Sequence, residues 1–287
     1  MNYAVVIPAH NEAQFLPGLL QSVYAQTVLP VEVVLVNDNS TDKTEEIMQK
    51  AEETHPNTHY INRVSSNEHL PGAKVVEAFN AGLDKITASY HVVVKLDADL
   101  ILPTHYFEEV LNVFEGEQVG IVGGVCYEKN KAGEWELNHP MQMDHVRGAF
   151  KAYHVSCLNT IGGLRSAMGW DTVDEHLARY YGYRVITLPS LKVKHLRPVG
   201  AQYKKAAGLR QGEAFYRLRY GVFWSVLAAI KSGWSKKSIR WTIVVLLGYT
   251  QALIKRTPRL VNASQGLFIR NYRRLRLGKD EDSPLNL

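Results

Sequence analysis

Two carboxylates stand one residue apart where a strongly apolar run ends. Asp97 and Asp99 follow Val92-Val93-Val94 closely and are separated only by Ala98. Held together without a cation, such carboxylates repel each other and raise each other's pKa. A divalent ion removes that penalty, and oxygen ligands at a strand end suit Mg²⁺ or Mn²⁺ bridging a diphosphate. Because Ala98 is small, a ligand can also lie against the backbone, and the pattern predicts a metal–diphosphate site.

Three further loops hold unusual polar residues next to predicted elements. They are Pro8–Glu12, Asn37–Ser40 and Gly169–Glu175. Each feature alone has a plainer interpretation, since Asp38 can simply cap the following helix and an Asp-x-Asp pair is common by chance. Their shared position at the ends of predicted strands or the start of a helix is what favours a common site.

The elements that position these loops alternate between two periodicities. Strands are predicted at Tyr3–Ile7, Glu32–Val36, His91–Leu96, Val119–Val125 and Arg184–Leu188. Helices are predicted at Glu12–Gln26, Asp42–Glu53, Gly72–Ile86, Thr104–Glu115 and Thr172–Tyr181. This alternation is typical of an α/β fold with a mostly parallel sheet and helices on both faces. In such sheets ligands bind at the carboxyl ends of the strands, where the polar loops lie.

Several other classes of protein are excluded by missing motifs. The chain has no Gly-x-x-x-x-Gly-Lys-Ser/Thr loop, no Gly-x-Gly-x-x-Gly after its first strand, no His-Glu-x-x-His and no Gly-x-Ser-x-Gly. Its two cysteines, Cys126 and Cys157, are too few for a disulfide scaffold and lack zinc-site spacing. The first residues indicate a strand rather than a signal peptide, so we expect a cytoplasmic protein.

Taken in order, the polar loops resemble those of a known family. The runs Val5-Val6-Ile7-Pro8-Ala9-His10-Asn11-Glu12, Val34–Asp42 and Asp97-Ala98-Asp99 are similar to those of the family 2 glycosyltransferases, which have the GT-A fold. The resemblance covers about residues 3–200. It implies a Rossmann-like GT-A domain over residues 1–200, followed by a basic helical extension over 201–287. It also implies transfer of a sugar from a nucleotide diphosphate sugar with inversion, and we expect a UDP-sugar.

The resemblance further implies roles for individual residues. The nucleotide sugar would be bound by Pro8, Ala9, Glu12, Asp38, Lys74, Asp97, Ala98 and Asp99. Asp99 would ligate the metal, Mn²⁺ or Mg²⁺, and His195 is placed to be a further ligand. The alternative for Lys74 is a solvated helix residue, and the alternative for His195 is a structural histidine.

The resemblance also implies a catalytic carboxylate. Inversion needs a general base that takes the acceptor hydroxyl's proton as the oxygen attacks opposite the leaving diphosphate. Family members commonly present it as Glu-Asp at the start of a helix that ends in a glycine about eleven residues later. Gly182 lies eleven residues after Asp171, although Trp170 replaces the preceding Glu. A competing register nominates Asp174, and we favour Asp171.

The acceptor side has weaker signals. Residues Glu128–Gly163 are polar and weakly periodic, and we expect long loops with a short helix that form a lid over the acceptor. Gly163, in a glycine pair, lets backbone approach a ligand. Trp170 can stack on an acceptor sugar or can simply be buried. By analogy with similar family members, the acceptor would be a glycolipid or a surface polysaccharide precursor.

Charge divides the chain into two parts. Residues 1–190 carry 13 Lys/Arg and 24 Asp/Glu, whereas residues 191–287 carry 20 and 4. Helices are predicted in the basic part at Lys204–Ile230, Lys236–Arg256 and Ser264–Leu277. Its apolar stretches are too short to span a bilayer but suit a membrane interface. The other interpretations are packing on the acidic domain or a homodimer, and binding of nucleic acid, for which no motif is present. We favour peripheral contact with the inner face of the plasma membrane and expect no nucleic acid.

Two other functions remain open on sequence alone. One is a non-catalytic protein that binds nucleotide sugars or acts as a membrane scaffold on the same fold. The other is a nucleotidyltransferase, which shares the α/β framework but would carry an early Gly-rich loop. Pro8–Glu12 contains no glycine, which argues against this alternative.

Overall fold

The computed structural model describes residues 1–65, 72–138, 143–197 and 206–276. Within these ranges the strands are β1 (Tyr3–Ala9), β2 (Glu32–Asp38), β3 (Thr58–Arg63), β4 (Val92–Leu96), β5 (Leu100–Ile101), β6 (Val119–Lys129), β7 (Trp135–Leu137), β8 (Phe150–His154) and β9 (Arg184–His195). The helices are α1 (Leu16–Tyr24), α2 (Thr44–Thr54), α3 (Ala73–Leu83), α4 (Tyr106–Phe114), α5 (Val155–Thr160), α6 (Trp170–Tyr180), α7 (Ala206–Arg217), α8 (Gly221–Ser235), α9 (Ile239–Ile254) and α10 (Ala263–Arg276).

One mixed sheet joins all of these strands. Its order is β3-β2-β1-β4-β8-β6-β9-β5, and β7 pairs with β6. The first four strands in this order are parallel to one another, and β6 and β9 are also parallel. Between these groups β8 runs antiparallel to both of its neighbours, β4 and β6. The prediction of an α/β fold is confirmed, with β8 as an antiparallel insertion in the middle of the sheet.

Two apolar cores cover the two faces of the sheet. Because successive side chains of a strand point to opposite faces, β1 contributes Val5 and Ile7 to one core and Val6 to the other. The first core includes residues of α1 and α4, such as Leu16 and Phe107. The second includes residues of α3 and α6. Helices on both faces therefore hold the strand ends in fixed positions.

The last four helices form the basic extension. Helices α7 and α9 cross at close range, because a Cβ on Gly212 would lie 1.8 Å from the Val245 carbonyl oxygen. A Cβ on Gly248 would likewise lie 2.0 Å from the Leu209 carbonyl oxygen. Helix α10 returns to the N-terminal domain and packs against α6. There the Tyr272 hydroxyl donates a 2.6 Å hydrogen bond to Asp144.

Some of the expected elements differ from the observed ones. The segment expected to be loops, Glu128–Gly163, contains β7 and β8 as well as the short helix α5. The predicted helix Lys204–Ile230 is wrong as a single element, because α7 ends at Arg217 and α8 begins at Gly221. Arg219 and Gly221 have φ of 56° and 76°, which breaks the helical path. Strand β3 was not predicted.

Two expectations concern the extension as a whole. The predicted boundary between residues 200 and 201 lies outside the described residues, as does the start of the helix predicted from Lys204. Among the described residues, no helix has the length and apolar character needed to cross a membrane.

Candidate active site

The carboxyl ends of three parallel strands meet at one edge of the sheet. Pro8 and Ala9 end β1 and pair in register with Val36 and Asn37 near the end of β2. Asp38 is the last residue of β2, and Asp97 directly follows β4. Because β1 lies between β2 and β4, the sheet brings the predicted nucleotide-binding loops together.

Hydrogen bonds between the first two loops keep them in place. The Asn11 side-chain oxygen accepts from the Thr41 amide at 2.7 Å, and the Asn11 amide donates to the Ser40 hydroxyl at 3.0 Å. The Glu12 amide donates to the Thr44 hydroxyl at 2.7 Å. Asn11 has a φ of 56°, which an Asn tolerates better than most residues. The loops after β1 and β2 therefore form one linked unit.

Asp38 is paired with an arginine from the neighbouring strand. Its carboxylate lies 3.1 Å from a guanidinium nitrogen of Arg63, the last residue of β3. The same guanidinium lies 2.6 Å from a carboxylate oxygen of Glu77 on α3. Arg63 thus orients the buried Asp38 carboxylate at this edge of the sheet.

Asp97, Asp99 and His195 form a group of potential metal ligands. One carboxylate oxygen from each Asp and one ring nitrogen of His195 all lie within 4.8 Å of one another. Strand β9 extends beyond its predicted end to His195, which pairs in register with Leu100 of β5 and so reaches the two carboxylates. Two carboxylates and an imidazole form a ligand set that fits Mn²⁺ and also accommodates Mg²⁺.

Cys126 and Glu128 lie close enough to His195 to form a second such group. Burial raises the pKa of the Cys126 thiol to about 11, so this side chain stays protonated near neutral pH. Because a thiol binds metals as the thiolate, Cys126 is the weaker candidate ligand. The group that contains Asp97 and Asp99 therefore fits a hard cation better.

The charges in the first group influence one another. The His195 Nε2 atom lies 3.2 Å from an Asp99 carboxylate oxygen. Burial by itself raises the pKa of Asp99, but the hydrogen bond and charge of His195 and the charge of Arg197 hold it below its usual value. Burial opposes protonation of His195, yet Asp99 and Asp97 raise its pKa. The side chains of His195 and Arg197 therefore compensate part of the negative charge of these two carboxylates.

Glu12 lies near the same edge, and Lys74 is on α3. A Glu12 carboxylate oxygen is 2.7 Å from the Arg197 guanidinium, which is also 3.9 Å from Asp99. This ion pair joins the loop after β1 to the end of β9. Lys74 is half-buried in the first turn of α3.

A buried lysine and a glycine link the metal-ligand group to the predicted base. Lys95, at the end of β4, pairs with the Asp97 carboxylate and donates a 2.8 Å hydrogen bond to the Gly148 carbonyl oxygen. A Cβ on Gly148 would lie 3.0 Å from the Asp171 Cβ and 2.7 Å from the Trp170 ring. Only a glycine at this position allows α6 to begin so close to the end of β4.

The two candidate bases have different surroundings. The Asp171 side chain is 34% exposed, and its carboxylate lies 4.0 Å from the His145 ring. The Asp174 side chain is 1% exposed and lies 3.0 Å from the Lys151 ammonium group, which comes from β8. Asp174 also accepts a hydrogen bond from the Tyr153 hydroxyl. Asp171 is therefore accessible from solvent, whereas Asp174 is engaged inside the protein.

Glu175 anchors the segment that faces Asp171. It accepts a hydrogen bond from the Val146 amide at 2.9 Å and pairs with the His145 ring at 3.1 Å. Although burial opposes ionisation, His145 and Lys151 hold the pKa of Glu175 well below its usual value. Burial also opposes protonation of His145, yet the Glu175 charge raises its pKa. A fixed carboxylate thus holds the imidazole beside Asp171.

Trp170 and Gly163 were expected on the acceptor side. The Trp170 ring is 6% exposed and belongs to the second core, with the Lys95 ammonium group 5.3 Å from the ring centroid. This burial leaves little of the ring for stacking on a sugar. Gly163 has a φ of 75°, and a Cβ there would meet open space. It lies in the loop that follows α5 and precedes α6.

Several residues at the site were not singled out from the sequence: Arg63, Lys95, His145, Lys151 and Arg197. Lys95 and Lys151 are basic residues inside or beside apolar strand runs, a pattern that signals a buried charge with a partner. Arg63, His145 and Arg197 carry no local signal, because their partners are remote in sequence.

Comparisons with known proteins agree with this architecture. The sequence profile described as Glycosyl transferase family 2 matches residues 4–166, which is more than half of the chain. The undecaprenyl-phosphate 4-deoxy-4-formamido-L-arabinose transferase of Serratia proteamaculans is 30% identical over 135 residues, or 46% of this chain and 38% of that protein. The chain covers between 17% and 38% of the length of eight such curated relatives.

Solved structures show the same fold at low sequence identity. The mannosyltransferase PcManGT of Pyrobaculum calidifontis, in complex with GDP-Man and Mn²⁺, superimposes with a TM-score of 0.57 at 18% identity and covers 97% of this chain and 81% of its own. TarS of S. aureus in complex with UDP-GlcNAc gives 0.56 at 19% identity, with 80% and 66% covered. The sheet with its strand-end carboxylates is therefore the GT-A fold, and the chain belongs to glycosyl transferase family 2.

Proposed function

We propose that this chain is an inverting, metal-dependent glycosyltransferase that moves a sugar from a UDP-sugar to a hydroxyl acceptor. The observation that carries this proposal is the short connection from Asp97 through Lys95 and Gly148 to Asp171. This connection supports the proposal, because it joins a partly exposed carboxylate, Asp171, to a group of potential metal ligands. A non-catalytic binding protein would need the metal-ligand group but not the partly exposed carboxylate.

Asp99 and His195 would hold Mn²⁺ or Mg²⁺, with Asp97 beside them. When bound, the cation would neutralise the charge that develops on the leaving diphosphate. The complexes of PcManGT with GDP-Man and Mn²⁺ and of TarS with UDP-GlcNAc support a nucleotide-sugar donor. Pro8, Ala9 and Ala98 would line the donor pocket, with Asp38 at the base and Lys74 towards the diphosphate.

Asp171 would perform the proton transfer. Its carboxylate would accept the proton of the acceptor hydroxyl while that oxygen forms a bond to the anomeric carbon. The bond from this carbon to the diphosphate oxygen breaks on the opposite face, so the configuration inverts. The nucleoside diphosphate leaves with the bonding electrons, and Asp171 later returns the proton to solvent. His145 would hold the Asp171 carboxylate in place.

The acceptor is proposed to be a lipid-linked or saccharide molecule at the inner face of the plasma membrane. One relative is named for transfer to undecaprenyl phosphate and another for teichoic acid biosynthesis, which supports this class. A peripheral enzyme could meet a lipid-linked acceptor without spanning the bilayer. Gly163 would lie on the acceptor side.

A donor screen followed by one substitution tests the proposal. Thermal unfolding of the full chain is measured with a panel of nucleotide sugars and Mn²⁺, because a ligand that binds the folded state stabilises it. Release of nucleoside diphosphate from the best donor is then measured for the wild type and Asp171→Asn. We expect the variant to retain donor binding and to lose turnover by about a hundredfold or more, the usual contribution of a general base.

Glu53→Gln, which changes an exposed carboxylate on α2, is the matched control and should turn over like the wild type. Donor binding without any turnover in the wild type would instead indicate a non-catalytic binding protein. Release of pyrophosphate from a nucleoside triphosphate would indicate a nucleotidyltransferase. Normal turnover by Asp171→Asn would refute this residue as the base.

A further inference from the structure

The α8–α9 hairpin carries two rows of exposed apolar side chains, here called the apolar rows. They are Phe223, Leu227, Ile230 and Trp234 on α8, and Ile239, Ile243, Leu247 and Ile254 on α9. The residues of the α8 row are three or four positions apart, and those of the α9 row are four or seven positions apart, so each row follows one face of its helix. Trp234 is 85% exposed and Ile239 is 82% exposed. Contiguous apolar surface of this kind marks an interaction site.

The two rows meet at a crevice in the tip of the hairpin. The crevice has a volume of about 550 Å³ and is lined by Ile230, Gly233, Trp234, Lys237, Ser238, Ile239 and Thr242. Gly233 lets the two helices approach closely at the crevice, since a Cβ there would lie 1.9 Å from the Thr242 hydroxyl. Both helices therefore contribute to a single continuous surface.

Positive charge surrounds this surface. Lys237 and Arg240 are exposed at the tip, and Lys255 and Arg256 are exposed at the far end of α9. No Asp or Glu occurs in the sequence between Glu213 and Asp280. Every charged residue within α8 and α9 and in the turn between them is therefore basic.

This charge pattern decides between two possible partners. A second copy of the chain, packed through the same face about a two-fold axis, would bring the same basic residues together. Like charges brought together in this way oppose association. An anionic lipid surface instead complements the basic border, while its acyl region accepts the apolar rows. Tryptophan beside lysine at the tip is typical of a membrane–water interface.

We propose that the apolar rows and their basic border dock the protein onto an anionic lipid bilayer. Trp234 and Ile239 enter the acyl region, and Lys237 and Arg240 contact lipid phosphates. This inference deepens the proposed peripheral location and does not depend on the transfer reaction.

Co-sedimentation of the full chain with vesicles tests the surface. The vesicles contain phosphatidylcholine alone or mixed with phosphatidylglycerol, and binding is measured at low and high salt. We expect binding to the anionic vesicles only, weakened by salt. Trp234→Ser with Ile239→Ser should reduce the partition coefficient by roughly tenfold or more, because two large apolar side chains no longer leave water. Lys237→Gln with Arg240→Gln should reduce the partition coefficient by up to about fivefold for each charge that is removed.

Leu29→Ser is the control, since Leu29 is an exposed apolar residue on the N-terminal domain, and its binding should equal that of the wild type. Thermal unfolding shows that each variant folds, and donor turnover in vesicle-free buffer reports the reaction separately. Absence of wild-type binding, or equal binding by the Trp234→Ser/Ile239→Ser variant, would overturn the proposal while turnover stays intact. A dimer in light scattering that this double variant converts to a monomer would also overturn it.

Discussion

Asp171 and Asp174 lie about one helical turn apart on α6, in surroundings that assign them different tasks. Asp171 is partly exposed beside His145, whereas Asp174 is enclosed with Lys151 and Tyr153. A buried ion pair that loses one partner leaves a charge without compensation, which is far more destabilising than the loss of an exposed charge. The difference can be measured without knowing the substrate.

We expect Asp174→Asn to lower the free energy of unfolding by about 3 kcal/mol, because Lys151 keeps only part of its charge compensation. Asp171→Asn should change it by less than about 0.5 kcal/mol, as is usual for a partly exposed site. Urea denaturation followed by circular dichroism gives both values. Equal destabilisation by the two substitutions would contradict the structural role of Asp174.

His176 makes stability depend on pH. The ring lies on the buried face of α6 against Tyr272, and burial together with the charge of Arg179 lowers its pKa to about 3. The folded protein therefore keeps His176 neutral, while the unfolded chain binds a proton below about pH 6.5. Its contribution to stability is fully present above that pH and decreases as the pH falls towards 3.

Replacing His176 by a residue that does not titrate should weaken the dependence of the unfolding free energy on pH. Between pH 7 and 5 the wild type should lose about 2 kcal/mol more unfolding free energy than His176→Phe, which retains a ring against Tyr272. Urea denaturation at the two pH values measures the difference. The same loss in both proteins would show that His176 is not held neutral in the folded state.

The site residues divide into those with a local sequence signal and those without one. Asp97 and Asp99 could be predicted because an apolar strand must end in a loop that exposes polar groups at the edge of the sheet. Arg63 and His145 could not be, since they act on residues 25 and 26 positions away, Asp38 and Asp171. Such pairings follow from strand order and helix placement, which no short motif encodes.

At the scale of elements, apolar continuity explains which strands were predicted. β1, β2 and β4 are buried throughout, and each contains at least three consecutive apolar residues, such as Val92–Val94 in β4. β3 lies at the outer position of the sheet and is half exposed, so its sequence Thr58–Arg63 has no apolar run. β8 is buried, but Lys151 interrupts its pattern, and only the ion pairs with α6 make that burial possible.

The crossing of α7 and α9 offers a test at the same scale. Gly248→Ala would place a Cβ about 2.0 Å from the Leu209 carbonyl oxygen, and the helices would have to separate. We expect destabilisation of about 1–3 kcal/mol, the usual effect of overpacking. Unfolding by urea provides the measurement.

Gly18→Ala is the matched control for this substitution. Gly18 lies within α1, and a Cβ there would meet nothing within 4 Å. Alanine at this position should stabilise the protein by roughly 0.5–1 kcal/mol, because glycine disfavours the helix. If both substitutions stabilised the protein, the close approach of α7 and α9 would be refuted.

At the scale of the whole molecule, the charge division observed in the sequence has a partial structural explanation. Asp144, in the acidic N-terminal domain, accepts a hydrogen bond from Tyr272 and pairs with Arg276, both on α10. Arg179 on α6 lies over the Tyr272 ring. The basic extension therefore packs on the domain through α10, while α8 and α9 leave their apolar rows exposed. Packing on the domain is thus observed for α10, whereas membrane contact through α8 and α9 stays a prediction.

Metal and nucleotide should stabilise the entire molecule together. With Mn²⁺ and UDP at about a hundred times the dissociation constant, the free energy of unfolding should rise by about 2.7 kcal/mol. Removal of the metal with EDTA should reverse most of this gain. In Asp99→Asn the gain from Mn²⁺ should be lost, whereas Glu53→Gln should retain it. Thermal unfolding checks all four conditions, and an unchanged Mn²⁺ effect in Asp99→Asn would exclude this residue as a ligand.

The central position of β8 has a consequence for synthesis on the ribosome. β1 to β4 emerge first and can form a parallel sheet. The free edge of β4 has no partner strand until β8, Phe150–His154, has been synthesised. Until then this edge presents unpaired backbone groups that can pair with another nascent chain. Only after β9 has followed, at residue 195, are all strands of the sheet available. A nascent chain stalled before residue 150 would therefore be prone to aggregation, although it already contains every residue of the predicted donor pocket up to Asp99.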